Sequence, residues 1–142
     1  MSWTLDDNNI ESIIEQILHE LNIEASIESD YEHSPMAYNY RTNTFKFSKD
    51  LIEKDLTCNG LISLVYVKLL TYHEVGHYLD FKKNLNSVLM LDKLVEIDVQ
   101  IALEENAWDL GRTVVPEDMR EEFDEINRDN LRRLEFNKYN PI

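Results

Sequence analysis

The chain has 142 residues, with three Gly, three Pro, one Cys, and 28 Asp and Glu against 14 Lys and Arg. That length supports one domain with a hydrophobic core of its own, and so little Gly and Pro argues against a turn-rich β-sandwich. A formal net charge of −14 excludes a protein built to grip nucleic-acid backbone.

The acidity is uneven. Asp6, Asp7, Glu11, Glu15, Glu20, Glu24, Glu28, Asp30 and Glu32 precede the first Lys or Arg, which is Arg41. Such a field favours a basic partner, or mimics nucleic acid toward a DNA-binding protein. The plainer reading is solubility. The lone Cys58 allows no intrachain disulfide and suits a reducing compartment. Beside Asn59-Gly60, with no His or Cys neighbour, it reads as incidental. The opening residues lack the basic and apolar regions of a signal peptide. A soluble, cytoplasmic protein is expected, without membrane or direct nucleic-acid contact. Oligomeric state is left open.

Asp6 or Asp7 is placed to cap a first helix. Ile10, Ile13, Ile14, Ile17, Leu18 and Leu21 form its apolar stripe, and Asn22 ends it. Ile23, Ala25 and Ile27 alternate with Glu24, Ser26 and Glu28, as in a half-buried strand. A polar loop, Ser29 to Pro35, leads to two short strands, Met36–Tyr40 and Thr44–Phe47. Arg41-Thr42-Asn43 turns between them. Ser48 caps a short helix expected to end at Leu56. The apolar run Leu61–Leu79, broken by Lys68, His73 and Glu74, reads as a buried helix reaching Asp80 or Phe81 rather than a membrane span. After a polar loop, Lys82 to Ser87, one long helix is expected from Val88 to Gly111. Pro116, Glu117 and Asp118 open a last helix, and Asn137 to Ile142 read as a tail.

The motif helix holds His73-Glu74-Val75-Gly76-His77, an H-E-x-x-H pattern. Histidines four apart stand one turn above each other on one helical face, which suits two ligands of one Zn²⁺. Glu74 points about 100° away around the helix. It is therefore placed to act as general base on a water that the metal activates, rather than as a ligand.

A catalytic zinc takes three protein ligands and keeps one position open. No His follows His77, so a carboxylate must complete the set. Asp92, Glu96, Asp98, Glu104 and Glu105 are available. Glu105 reads best, with Ile101, Ala102 and Trp108 near its face and Asp109 one turn on. Asp109 is expected to receive the second N–H of a ligating imidazole. Glu104 is the main competitor, and Asp98 is a further supporting carboxylate. The longer H-E-x-x-H-x-x-G-x-x-H pattern fails, with Asp80 in the Gly place and Lys83 in the last His place.

From His73 through Pro116 the sequence resembles the ImmA/IrrE family of zinc metallopeptidases. That family carries H-E-x-G-H on one helix, then a helix of the form E-A-N-x-F-A followed by L-L-x-P. Glu105-Asn106-Ala107-Trp108 and Val114-Val115-Pro116 keep this frame, with Ala-Asn inverted and Asp109 in place of the common aromatic. The Ala37–Phe45 hairpin is similar to the strand that precedes the family's motif helices, so the resemblance covers roughly Ile23 to Pro116. It implies metal ligands His73, His77 and Glu105, Glu74 as catalytic base, and Zn²⁺ as cofactor.

The expected fold is a mainly helical α+β, zincin-like minimal domain. A small three-stranded, antiparallel-type sheet packs on the H-E-x-x-H helix and a carboxylate helix. The domain spans 1–142, with core 23–116 and C-terminal helix 117–137. The expected function is a metalloendopeptidase (a hydrolase) acting on a protein or peptide. By the resemblance, the substrate is a repressor or other transcriptional regulator of a phage or mobile element. The alternative is a non-catalytic, zinc-containing acidic protein that sequesters a basic regulator. For the transition-state donor, Tyr38, Tyr40, Tyr72, His33 and Arg112 stay open.

Overall fold

Helix α1, Asp7–Glu20, starts where the Asp6 carboxylate accepts the Asn9 backbone N–H at 2.8 Å. The isoleucine stripe becomes its buried face, with Ile10 and Ile14 fully enclosed. Asn22 ends the turn after it at φ 57°, a left-handed conformation that Asn tolerates. The computed structural model to which these elements belong describes residues 3–59 and 61–140, without the side chains of 58 and 59. The readings of Cys58, Gly60 and the outermost terminal residues lie outside the described residues. The chain falls into two compact units, 1–74 and 75–142.

The first unit holds α1 and a sheet of β1 (Ser26–Glu28), β2 (Met36–Asn39) and β3 (Thr44–Phe47) in the order β1-β3-β2. The hairpin is as expected, with Met36 opposite Phe47 and Asn39 opposite Thr44. Asn43, at φ 51°, closes its turn. The expected antiparallel-type sheet is corrected: β1 runs parallel to β3, so the sheet is mixed. Alternation of side chains reports which face is buried, not strand direction. Direction follows from the chain's path past the hairpin turn, where the Ser26 N–H donates to the Asn43 carbonyl at 3.0 Å. Central β3 buries Phe45 and Phe47 completely or nearly so.

Helix α2, Lys49–Asn59, is capped by the Ser48 hydroxyl, which accepts the Leu51 N–H at 3.2 Å. It passes the expected stop at Leu56. The Thr57 hydroxyl donates to the Lys54 carbonyl at 2.7 Å and stays within the helix. Helix α3, Ser63–Lys83, is the motif helix, and every residue from Thr71 to Gly76 is buried. The division between the units falls inside it.

In the second unit the expected polar loop and single long helix are replaced by two helices. These are α4, Leu85–Met90, and α5, Ile97–Arg112, joined through a 3-10 turn at Leu91–Lys93. Apolar residues alone do not hold a helix together; a continuous packed face does. Leu89, Leu94 and Val95 are exposed, Val95 at 94%, so no such face runs through this stretch. Glu96, extended at ψ 123°, starts α5 afresh.

A 3-10 turn at Glu117–Met119 leads into α6, Arg120–Tyr139, which absorbs part of the expected tail. Helices α5 and α6 run antiparallel, with polar rungs along their length. Trp108 Nε1 and Arg112 Nε both donate to Asp124, at 2.7 and 3.0 Å. Asn130 donates to Glu104 at 2.9 Å, and Lys138 pairs with Asp98 at 2.7 Å. The hydrogen bond to Asp98, then its charge, holds the Lys138 ammonium above the ordinary lysine range. The fold is thus mainly helical α+β, as the sequence suggests.

Candidate metal centre

His73 and His77 lie on α3 as the spacing requires. His73, His77 and Glu104 each offer one ligand atom, and these atoms all lie within 4.8 Å of one another. His77 Nε2 and Glu104 Oε2 approach to 2.5 Å, closer than an ordinary N–H···O hydrogen bond. Two ligands of one tetrahedral zinc stand about 3.3 Å apart, given metal–ligand bonds near 2.0 Å. The carboxylate therefore needs to yield by less than an ångström, within the reach of a Glu side chain. Two imidazoles and a carboxylate are a donor set that zinc accepts.

The carboxylate that lies with the two histidines is Glu104, whereas Glu105 is exposed on α5 along with Asp109. The reason lies in the buried face of that helix. Leu103, Ala107 and Gly111 are buried, at i, i+4 and i+8. At 100° per residue, Glu104 stands about 60° from the centre of that face and Glu105 about 160° away. Ile101, Ala102 and Trp108, the apolar residues that pointed to Glu105, are only half-buried. Ala and Gly mark the inward face because the helices nearly touch there. A Cβ on Gly76 would stand 2.0 Å from the Ala107 carbonyl oxygen. The glycine of the motif is the space into which α5 settles, and that closeness brings Glu104 to His77.

A signal for Glu104 was present in the sequence. Set from Glu104, the form E-A-N-x-F-A meets Glu104-Glu105-Asn106-Ala107-Trp108-Asp109. Asn106 then takes the Asn place and Trp108 the aromatic place, without an inversion.

Around the ligand atoms the supports also differ from expectation. Glu104 Oε1 accepts the Asn130 amide, so the carboxylate is held from the side away from His77. Phe81 stacks on the His77 ring, with centroids 6.0 Å apart and planes 16° from parallel. Asp80, fully buried, accepts from Asn84 at 2.7 Å, from Ser87 at 2.8 Å and from Asn106 at 3.4 Å. It thereby ties the end of α3 to α4 and α5. Asp98, proposed as a supporting carboxylate, instead pairs with Lys138 at the far end of α5.

Glu74 is buried, its side chain 8% exposed. Its Oε1 accepts the backbone N–H of Tyr38 at 3.0 Å, and its Oε2 stands 4.0 Å from His73 Nε2. Glu74 thus stands beside His73 but outside the three-donor group. Tyr38 belongs to β2, an edge strand, so the hairpin does adjoin the motif glutamate. Of the residues considered as transition-state donors, Tyr38 directs its hydroxyl to Asn43 at 2.8 Å and Arg112 is bound to Asp124. Tyr72 is buried, and His33 packs edge-on against Tyr31.

No protein-family model, curated protein or solved structure matches the chain. The likeness to the ImmA/IrrE pattern therefore rests on the motif residues themselves. Among the described residues, no helix is long and apolar enough to cross a membrane.

Proposed function

We propose that the chain is a zinc-dependent metallopeptidase of the cytoplasm, with His73, His77 and Glu104 as metal ligands and Glu74 as catalytic base. The observation that carries this reading is the grouping of those three donors within 4.8 Å, two of them on the helix that also buries Glu74 and the third on α5. Zinc bound there supplies a Lewis acid for the scissile carbonyl and a water of lowered pKa. Glu74 would take a proton from the attacking water and pass it to the leaving amine. Its bond to Tyr38 fixes the carboxylate beside His73. By the motif resemblance, the substrate is a protein such as a repressor or other regulator of a phage or mobile element.

The test pairs metal analysis with cleavage. Purified protein should hold close to one zinc per chain. Glu74→Gln should keep the metal and lose peptide-bond cleavage of candidate regulators. Protein isolated without chelator that carries no zinc, and takes none up, removes this reading.

One observation favours a second reading, an acidic protein that sequesters a basic regulator without turnover. Asp7, Glu11, Glu28 and Asp30 line a cleft of about 540 Å³ in the first unit. Such a cleft suits a Lys or Arg side chain. On that reading Glu74→Gln keeps the full biological effect.

A further inference from the structure

Helix α6 lies beyond the segment that resembles known metallopeptidases, yet one of its residues touches the donor group. Asn130 Nδ2 donates to Glu104 Oε1 at 2.9 Å, while Oε2 of the same carboxylate faces His77 Nε2. One oxygen is thus held from α6 and the other presented to the imidazole. We infer that Asn130 is a positioning residue for the metal, fixing the Glu104 carboxylate so that one oxygen is directed at the ion. This rests on the zinc reading above and adds α6 to the site.

The surrounding contacts carry the inference. A Glu side chain has three rotatable bonds, and binding an ion with a free one costs the entropy of ordering it. The Asn130 amide meets that cost in the folded protein before the ion arrives. Groups that hydrogen-bond to metal ligands typically set metal affinity by 10- to 100-fold. The rungs on either side keep Asn130 opposite Glu104. Trp108 and Arg112 bind Asp124 toward one end, and Lys138 binds Asp98 toward the other. Beneath them Phe123 and Asn127 are buried, and Asn127 donates to the Phe123 carbonyl at 2.8 Å within α6. Asn130 itself is only half-buried, so it is not a core residue that the fold requires.

The experiment measures zinc affinity by competition with a chromophoric chelator, and melting of the metal-free protein, on the full chain. The variants are Asn130→Leu, which keeps the branching at Cγ and removes the donor, Asn130→Gln, which restores an amide, and His77→Ala. Asn130→Leu should bind zinc roughly 10- to 100-fold more weakly, with metal-free melting close to wild type. Asn130→Gln should recover part of the loss, and His77→Ala should lose most of the affinity. If Asn130→Leu melts early without metal, the same comparison is made with Asn130→Ala. Wild-type affinity in a folded Asn130→Leu or Asn130→Ala, with His77→Ala impaired, overturns the inference and leaves the zinc reading standing. Wild-type protein that binds no zinc overturns both.

Discussion

Glu104 and Glu105 differ in nothing but their place on the helix, and that place decides which can reach a metal. Glu104 flanks the buried face and meets His77; Glu105 points to solvent. Glu104→Ala should therefore lower zinc affinity by roughly 100-fold or more, as expected on losing one of three ligands, whereas Glu105→Ala should leave it within about twofold. A chelator competition on the two variants checks this, and equal losses would remove Glu104 from the ligand set. The histidine pair and its glutamate were legible from spacing alone, because their geometry is local to one helix. Spacing alone does not choose between the adjacent glutamates, because that choice needs the inward face of α5; the sequence signal for Glu104 lay instead in the family frame set from that residue. That face is made of Leu103, Ala107 and Gly111, two of which carry almost no hydrophobic signal.

The pairing of α3 with α5 rests on a missing side chain. Gly76 is buried in a helix, where glycine costs about 1 kcal/mol relative to alanine in propensity. That cost is offset by close backbone packing against Ala107. Gly76→Ala restores the propensity but forces a methyl into a backbone carbonyl, at an overpacking cost of about 3 kcal/mol. A net destabilisation of about 2 kcal/mol is expected in urea unfolding. Zinc affinity should fall with it, since α5 must move away from His77. A variant more stable than wild type would show that the contact is looser than its geometry. Most elements were legible at this scale. The capping residues Asp6 and Ser48 mark real helix starts, and the Asn43 turn marks a real hairpin. The break between α4 and α5 was not legible, because Leu89, Leu94 and Val95 resemble a helical stripe yet lie exposed. Nor was the parallel pairing of β1, which depends on a backbone bond from Ser26 to Asn43.

Across the molecule, a formal charge of −14 draws divalent cations toward the protein. Zinc association should therefore slow by roughly tenfold between low salt and about 0.5 M, while dissociation from the half-buried donors changes little. Stopped-flow mixing with a zinc indicator measures both. Equal association rates across that range would show that the surface field does not reach the site. Composition predicted this acidity and the mainly helical class. It carried no information on the division of the chain into two compact units, which is a property of the contacts made after folding.

His77 and Glu104 stand 27 residues apart in the chain and meet face to face. An ion held by both is, in polymer terms, a reversible cross-link closing a loop through α4. Opening α5 then requires the ion to leave, and chelation restores the freedom of the loop. Backbone amides of α5 should exchange with deuterium more slowly in the zinc-loaded protein than in the chelated one, while those of α1 should be indifferent. The metal would serve this chain as a fastener as well as a reagent, and its loss would be felt first in α5.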